Sequence, residues 1–171
     1  IDVLTGWTSG AGNVQRTTDG GSTWASSLLP GSSLGKKMHF INSQTGWMGA
    51  SNGRIFSTTN GGANWSYKTI ASSALNDVYF LDENTGFFAS TNVFAKTTNG
   101  GINWNAQHYP GYNFSIINVF DANLYYVYGF DGQHRFQILA KTSDGGANWT
   151  YGSNPPDYQY SMIFIMREMI F

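Results

Sequence analysis

Thr17-Thr18-Asp19-Gly20-Gly21-Ser22-Thr23-Trp24 is the first of four copies of one pattern. It returns as Thr58-Thr59-Asn60-Gly61-Gly62-Ala63-Asn64-Trp65, as Thr97-Thr98-Asn99-Gly100-Gly101-Ile102-Asn103-Trp104, and as Thr142-Ser143-Asp144-Gly145-Gly146-Ala147-Asn148-Trp149. The third position, held by Asp19, Asn60, Asn99 and Asp144, recurs after 41, 39 and 45 residues. Periods of this size belong to architectures that stack one supersecondary unit.

The residue types specify a turn. The first Thr offers a hydroxyl to nearby backbone groups, and the Asp or Asn oxygen accepts backbone N–H bonds in an Asx-type loop. The paired glycines supply positive φ without a Cβ penalty. The Trp, three residues past Gly21, Gly62, Gly101 or Gly146, is expected to fold back and bury its indole, roughly 150–250 Å² for an aromatic of this class. Asn stands for Asp in two of the four copies. The turn therefore needs an acceptor oxygen rather than a charge, which argues against a metal site or a catalytic acid.

A second element precedes the turn. Phe40-Ile41-Asn42-Ser43-Gln44-Thr45-Gly46-Trp47 matches Phe80-Leu81-Asp82-Glu83-Asn84-Thr85-Gly86-Phe87, and the chain opens on Ile1-Asp2-Val3-Leu4-Thr5-Gly6-Trp7. The fourth copy, Phe120-Asp121-Ala122-Asn123-Leu124-Tyr125-Tyr126, has lost the Thr-Gly pair. Between these landmarks lie β-branched and aromatic runs such as Asp77–Leu81 and Ser115–Phe120, bounded by turn residues. Each unit reads as four short antiparallel strands, the blade of a propeller. The expected fold is all-β: about four blades over residues 1–40, 41–80, 81–119 and 120–164, with an atypical tail at 165–171.

Composition agrees. The 171 residues include 21 glycines, 16% aromatics and only 11% charged residues, a profile of strands joined by tight turns. The net charge of −1 gives no field that would gather nucleic acid or an anionic membrane surface. No apolar run approaches the length of a membrane span. The absence of cysteine removes disulfides, thiolate metal sites and a cysteine nucleophile. No cofactor is expected.

The pattern Ser/Thr-x-Asp-x-Gly-x-x-Trp resembles the Asp-box, or bacterial neuraminidase repeat. The fuller unit, with its Asx-x-x-Thr-Gly-aromatic element, is similar to the photosystem II stability and assembly factor family and its exported bacterial relatives. The resemblance covers essentially residues 1–150. It implies blades of a seven-bladed propeller, placement in the periplasm, at the cell surface or in the medium, and work as an assembly or adhesion module. Sialidases and xyloglucan-cleaving enzymes share the box, so it specifies no single activity.

Enzymatic readings lack their residues. A sialidase would need three convergent arginines, and Arg16, Arg54, Arg135 and Arg167 fall at unrelated points of the repeat. A glycosidase needs two carboxylates roughly 5–9.5 Å apart. Asp2, Asp82 and Asp121 share one turn position with Asn42, which leaves Asp77, Asp131 and Asp157 unconstrained. His39, His108 and His134 are isolated and show no metal-ligand spacing.

Binding candidates remain. The residue before each box is Arg16, Ser57, Lys96 or Lys141. On a ring of blades these could form a basic arc for an acidic partner, or shield blade edges. The stretches Gln107–Phe114 and Tyr128–Phe136 read as aromatic loops, so Tyr109, Tyr112, His134 and Arg135 join the list. The expected partner is a protein or a glycan. The alternative function is a fragment of a carbohydrate-active propeller. Ser161–Ile165 aligns with Lys37–Ile41, but the residues that follow do not continue the repeat. The expectation is therefore a partial ring with a tendency to self-associate, the alternative being a small propeller closed by pairing the last strand with the first blade.

Overall fold

The computed structural model describes residues 3–10, 12–31, 33–131 and 137–153. Asp2, His134, Arg135, Asp157 and the segment after residue 153, including Arg167 and the tail at 165–171, lie outside the described residues. The described residues form strands and turns with no helix.

The first sheet orders β1 (Gly6–Gly10), β2 (Asn13–Thr17) and β3 (Ala25–Leu28) as a meander. The second orders β4 (Gly35–Phe40), β5 (Gly46–Ala50), β6 (Arg54–Thr58) and β7 (Ser66–Thr69), a complete four-stranded blade. Every pairing is antiparallel between sequence neighbours. Relative to the second blade, the first lacks the strand equivalent to β4 among the described residues.

The remaining strands are β8 (Leu75–Phe80), β9 (Gly86–Thr97), β10 (Asn105–Val119), β11 (Tyr125–Asp131), β12 (Gln137–Thr142) and β13 (Thr150–Ser153). They form one six-stranded sheet that contains two blades. The first half of β9 pairs with β8, from Gly86↔Phe80 to Ser90↔Leu75. Its second half, Val93 to Lys96, pairs with β10. The change of partner falls at Thr91–Asn92, where Asn92 has φ 62°, a left-handed geometry that Asn tolerates.

In β10, Asn105–His108 closes the third blade and Tyr112–Val119 opens the fourth. The stretch Gln107–Phe114, expected as a loop, therefore lies within a strand. Asn113 faces Thr91 on one side and Phe130 on the other, so the backbone stays paired while passing between blades. The irregularity falls between His108 and Asn113, around Pro110, which has no N–H to donate. Tyr128–Asp131 likewise belongs to β11.

The core lies between blades rather than inside any one. Val14, Met48, Phe56 and Trp65 fill the first seam; Trp47, Leu75, Val78, Phe80 and Phe88 fill the second; Phe87, Phe94, Ile117, Tyr125 and Val127 fill the third. β4 and β5 both lie against β8. With Trp47 in the second seam and Met48 in the first, both faces of β5 are covered; every residue is buried, and the continuous sequence Gly-Trp-Met-Gly-Ala replaces polar alternation.

Candidate functional site

The four box turns share one hydrogen-bond design. In the second, the Thr58 hydroxyl donates to Asn60 Oδ1 at 3.0 Å and accepts from the N–H of Asn60 and Gly62 at 3.3 and 2.9 Å. Asn60 Oδ1 also accepts from the Asn64 N–H at 2.9 Å. The same four bonds join Thr17, Asp19, Gly21 and Thr23; Thr97, Asn99, Gly101 and Asn103; and Thr142, Asp144, Gly146 and Asn148. Both glycines of every pair have φ between 68° and 95°.

Where the acceptor is Asp, the charge recruits a further donor. The Thr23 hydroxyl reaches Asp19 Oδ2 at 2.6 Å, and the Asn148 amide reaches Asp144 Oδ2 at 2.8 Å. The Thr23 hydroxyl, then the Thr23 N–H and the Thr17 hydroxyl, hold Asp19 down to about 2. The Asn148 N–H, then its amide and the Thr142 hydroxyl, do the same for Asp144. Hydrogen bonds to the ionised form favour it.

The Asx turns are occupied in the same way. Asn42 Oδ1 accepts from the Gln44 and Thr45 N–H at 2.8 and 2.7 Å. Asp82 and Asp121 repeat this on Asn84 and Thr85 and on Asn123 and Leu124. Those N–H bonds, Thr85 first for Asp82 and Leu124 first for Asp121, pull both carboxyls below their usual range. Backbone bonds tie each Asx turn to its box: the N–H of Gly20, Gly61, Gly100 and Gly145 donates to the carbonyl of Leu4, Gln44, Asn84 and Asn123. Both turn types therefore share one face of the array.

Asp77, unconstrained by sequence, is committed by structure. It is buried; Oδ1 accepts from the Val78 N–H at 2.9 Å and Oδ2 from the Ile117 N–H at 2.8 Å. It pins β8 to β10. Among the described residues, no group of three His, Cys, Asp or Glu side chains could hold a metal ion. His39 packs against the Tyr79 ring, their centroids 4.3 Å apart.

The tryptophans occupy equivalent places, with one exception in burial. Phe40 meets Trp65 edge-on at 5.9 Å, Phe80 meets Trp104 at 6.0 Å, and Tyr125 meets Trp149 at 5.6 Å. Each of these rings also packs on an aromatic of the preceding blade: Phe40 on Trp7 at 3.8 Å, Phe80 on Trp47 at 3.7 Å, and Tyr125 on Phe87 at 4.7 Å. Trp24, expected to be buried, is 44% exposed, against 7% for Trp65. The reason is local: no strand equivalent to β4, and so no such ring, lies over it among the described residues.

The residues before the boxes act across seams. Lys96 donates to the Ala122 carbonyl of the next blade at 2.7 Å and lies 5.7 Å from the Phe87 ring centroid. Arg16 lies 5.9 Å from the Trp7 centroid, beside Gly61 of the next blade. Lys141 is exposed, near Tyr126. Lys96 thus bonds across a seam and Arg16 reaches across one, while Lys141 stays exposed.

A second clasp was missed from sequence. The residue three past the box Trp reaches the next blade's box: Ser27 to the Gly62 carbonyl at 2.6 Å, Lys68 to the Ile102 carbonyl, and Gln107 to the Gly146 carbonyl at 3.0 Å. The signal was available as a polar residue at a constant offset from Trp24, Trp65 and Trp104.

The second seam differs from its neighbours. Ser57 stands where Arg16 and Lys96 extend a long side chain, and its hydroxyl instead meets the Ser66 hydroxyl at 3.0 Å. A groove of about 290 Å³ opens there, lined by Trp47, Ile55, Ser57, Ser66, Tyr67, Lys68, Gly100, Gly101 and Ile102. Of the aromatic candidates, Tyr109 is partly buried, donates to Gln107 Oε1 at 2.6 Å and packs edge-on against Phe114. Tyr112 is exposed.

Antiparallel blades joined side by side by an aromatic core define the class: this is a β-propeller array. No family model matches the chain, and no curated protein matches it. Solved structures do. YCF48 bound to D1 peptide shares 14% identity over 88% of this chain and 79% of that one, with a TM-score of 0.55. YCF48 from Cyanidioschyzon merolae shares 19% over 89% and 53%, with a TM-score of 0.67. An ancestral GH74 enzyme shares 18% over 88% and 24%, with a TM-score of 0.72. The chain thus spans about half the length of the Cyanidioschyzon protein and about a quarter of the GH74 enzyme. These likenesses establish the fold.

Proposed function

We propose that the chain is a non-catalytic scaffold that binds a protein partner on its propeller blades. One observation carries the reading: the recurring acids are spent on the chain's own turns. Asp19, Asp82, Asp121 and Asp144 fasten backbone N–H groups, and Asp77 joins two blades. A carboxylate saturated by fixed donors is held ionised, and so is poorly suited to deliver a proton as a glycosidase acid must.

The likeness to a propeller solved with a bound peptide supports a protein ligand. Exposed Trp24 and Leu28 on the first blade supply apolar surface for self-association or docking. The likeness to GH74 enzymes favours a second reading, a carbohydrate-active propeller segment. The discriminating experiment pairs two assays on the full chain: cross-linked partner capture with identification by mass spectrometry, and sugar release from xyloglucan. Specific capture without hydrolysis is expected. Sugar release that a catalytic-acid substitution abolishes would overturn the scaffold reading.

A further inference from the structure

The second seam contains a donor without an acceptor. Trp7 Nε1 donates to the Gly61 carbonyl of the next blade at 2.8 Å. Trp47 occupies the equivalent place one blade on, and its ring stacks on Phe80 as Trp7 stacks on Phe40. Yet Trp47 Nε1 is buried with no hydrogen-bond partner, in a side chain only 4% exposed. An indole N–H can only donate. Leaving it unpaired in a protein interior is destabilising, which marks the position for an explanation.

The groove beside it has matching chemistry. Its polar side chains are Lys68, Ser57 and Ser66, and no acid lines it. Lys68 gives one of its three protons to the Ile102 carbonyl and keeps two. Ile102 and Tyr67 form exposed apolar walls. The groove exists because Ser57 is too short to cross the seam, as Arg16 and Lys96 do beside the equivalent rings Trp7 and Phe87.

We propose that this groove is a peptide-binding site that takes an acidic side chain of a partner protein. Its carboxylate accepts from Lys68 Nζ and, by displacing the groups that seal it in the unbound chain, from Trp47 Nε1, while the partner's flanking aliphatic groups lie on Ile102 and Tyr67. The inference rests on the protein-binding reading and supplies it with a location and a ligand chemistry. A charge-assisted bond at a half-enclosed position gives strength and orientation together.

The test titrates the full chain with a short glutamate-containing peptide while following the indole N–H resonances by 15N NMR. Its glutamine counterpart and an acidic oligosaccharide serve as comparisons. A shift of the Trp47 N–H, assigned with Trp47→Phe, is expected with the glutamate peptide, together with a weakening of about tenfold or more in Lys68→Met. Ser57→Lys closes the groove as Lys96 closes the third seam; it should melt no lower than the parent chain and lose peptide binding.

Undiminished binding to Ser57→Lys, or a Trp47 resonance that never moves, overturns the site. A shift with the oligosaccharide and not the peptide overturns the ligand class. Loss of this peptide with specific partner capture intact sinks only the groove, whereas absent capture sinks the scaffold reading itself.

Discussion

Val119 faces Tyr125 across the first hairpin of the fourth blade, the reverse of the pairing of Phe80 with Gly86 in the third. In the second and third blades a large ring, Phe40 or Phe80, lies over a glycine that has no room for a side chain. A Cβ on Gly46 or Gly86 would come within 2.4 Å of that ring. In the fourth blade the ring comes from the other strand and the small residue lies opposite. Tyr125 then packs on both Phe87 and Trp149. The lost Thr-Gly pair is therefore a relocation of the seam aromatic, not a decayed repeat.

Gly86→Ala should destabilise the protein by about 1–3 kcal/mol, the usual cost of forcing atoms into a packed core. Converting the pair to the fourth blade's solution, Phe80→Val with Gly86→Tyr, should cost less than the sum of its single changes. Urea unfolding of the four proteins in a double-mutant cycle measures the coupling. Additive effects would show that the two arrangements are not interchangeable.

Thr58→Val keeps the shape of a buried side chain while removing the hydroxyl that receives the Gly62 N–H. The expected loss is about 1–3 kcal/mol for a stranded buried donor. Asn60→Asp, which recreates the acceptor present at Asp19, should change stability by no more than about 0.5 kcal/mol. Thermal unfolding of both variants gives the comparison. Equal losses would mean that the turn depends on charge rather than on acceptor geometry.

Acid should weaken the two Asp turns before the two Asn turns. The folded carboxyls of Asp19 and Asp144 lie near 2, below their ordinary 3.8. A depressed folded value stabilises the protein above the unfolded value, and that contribution drains away as pH falls through the folded one. Stability should therefore decline between pH 3.8 and about 2. The double variant Asp19→Asn, Asp144→Asn should show a shallower decline; a residual slope should remain from Asp82 and Asp121, whose carboxyls are also lowered. Identical acid profiles, followed by tryptophan fluorescence, would contradict the assignment.

Asp77→Ala should cost about 2–3 kcal/mol, because it strands the buried N–H of Ile117 between two blades. Asp77→Asn retains one acceptor oxygen and should recover part of the loss. Chemical denaturation reads both. A neutral alanine variant would remove the carboxylate from the seam and reopen it as a candidate acid.

The box turns were legible from sequence because their chemistry is confined to eight consecutive residues. Thr58, Asn60, Gly62 and Trp65 announce one another by spacing alone. What crosses a seam was not legible. Asp77 meets Ile117 forty residues away, and nothing in one blade's sequence shows which backbone N–H will face it. The stretch around Tyr109 resembled a loop because Pro110 and Gly111 punctuate it, yet pairing resumes at Asn113 and keeps it in a strand. Trp24 carries the same motif as Trp65 but lacks the ring that packs upon Trp65, which local pattern does not encode. The tasks of Arg16 and Lys96 became evident only once the adjoining blade supplied Gly61 and Ala122.

Amide hydrogen exchange at Gly21, Gly62, Gly101 and Gly146 tests the account most directly, since each N–H is bound to the hydroxyl of its own box threonine. All four should be protected in the native protein, and protection at Gly62 should collapse in Thr58→Val while Gly101 and Gly146 hold theirs. Exchange of these amides at the rate of an unstructured peptide would contradict the claim that one turn, used four times, fastens the blades.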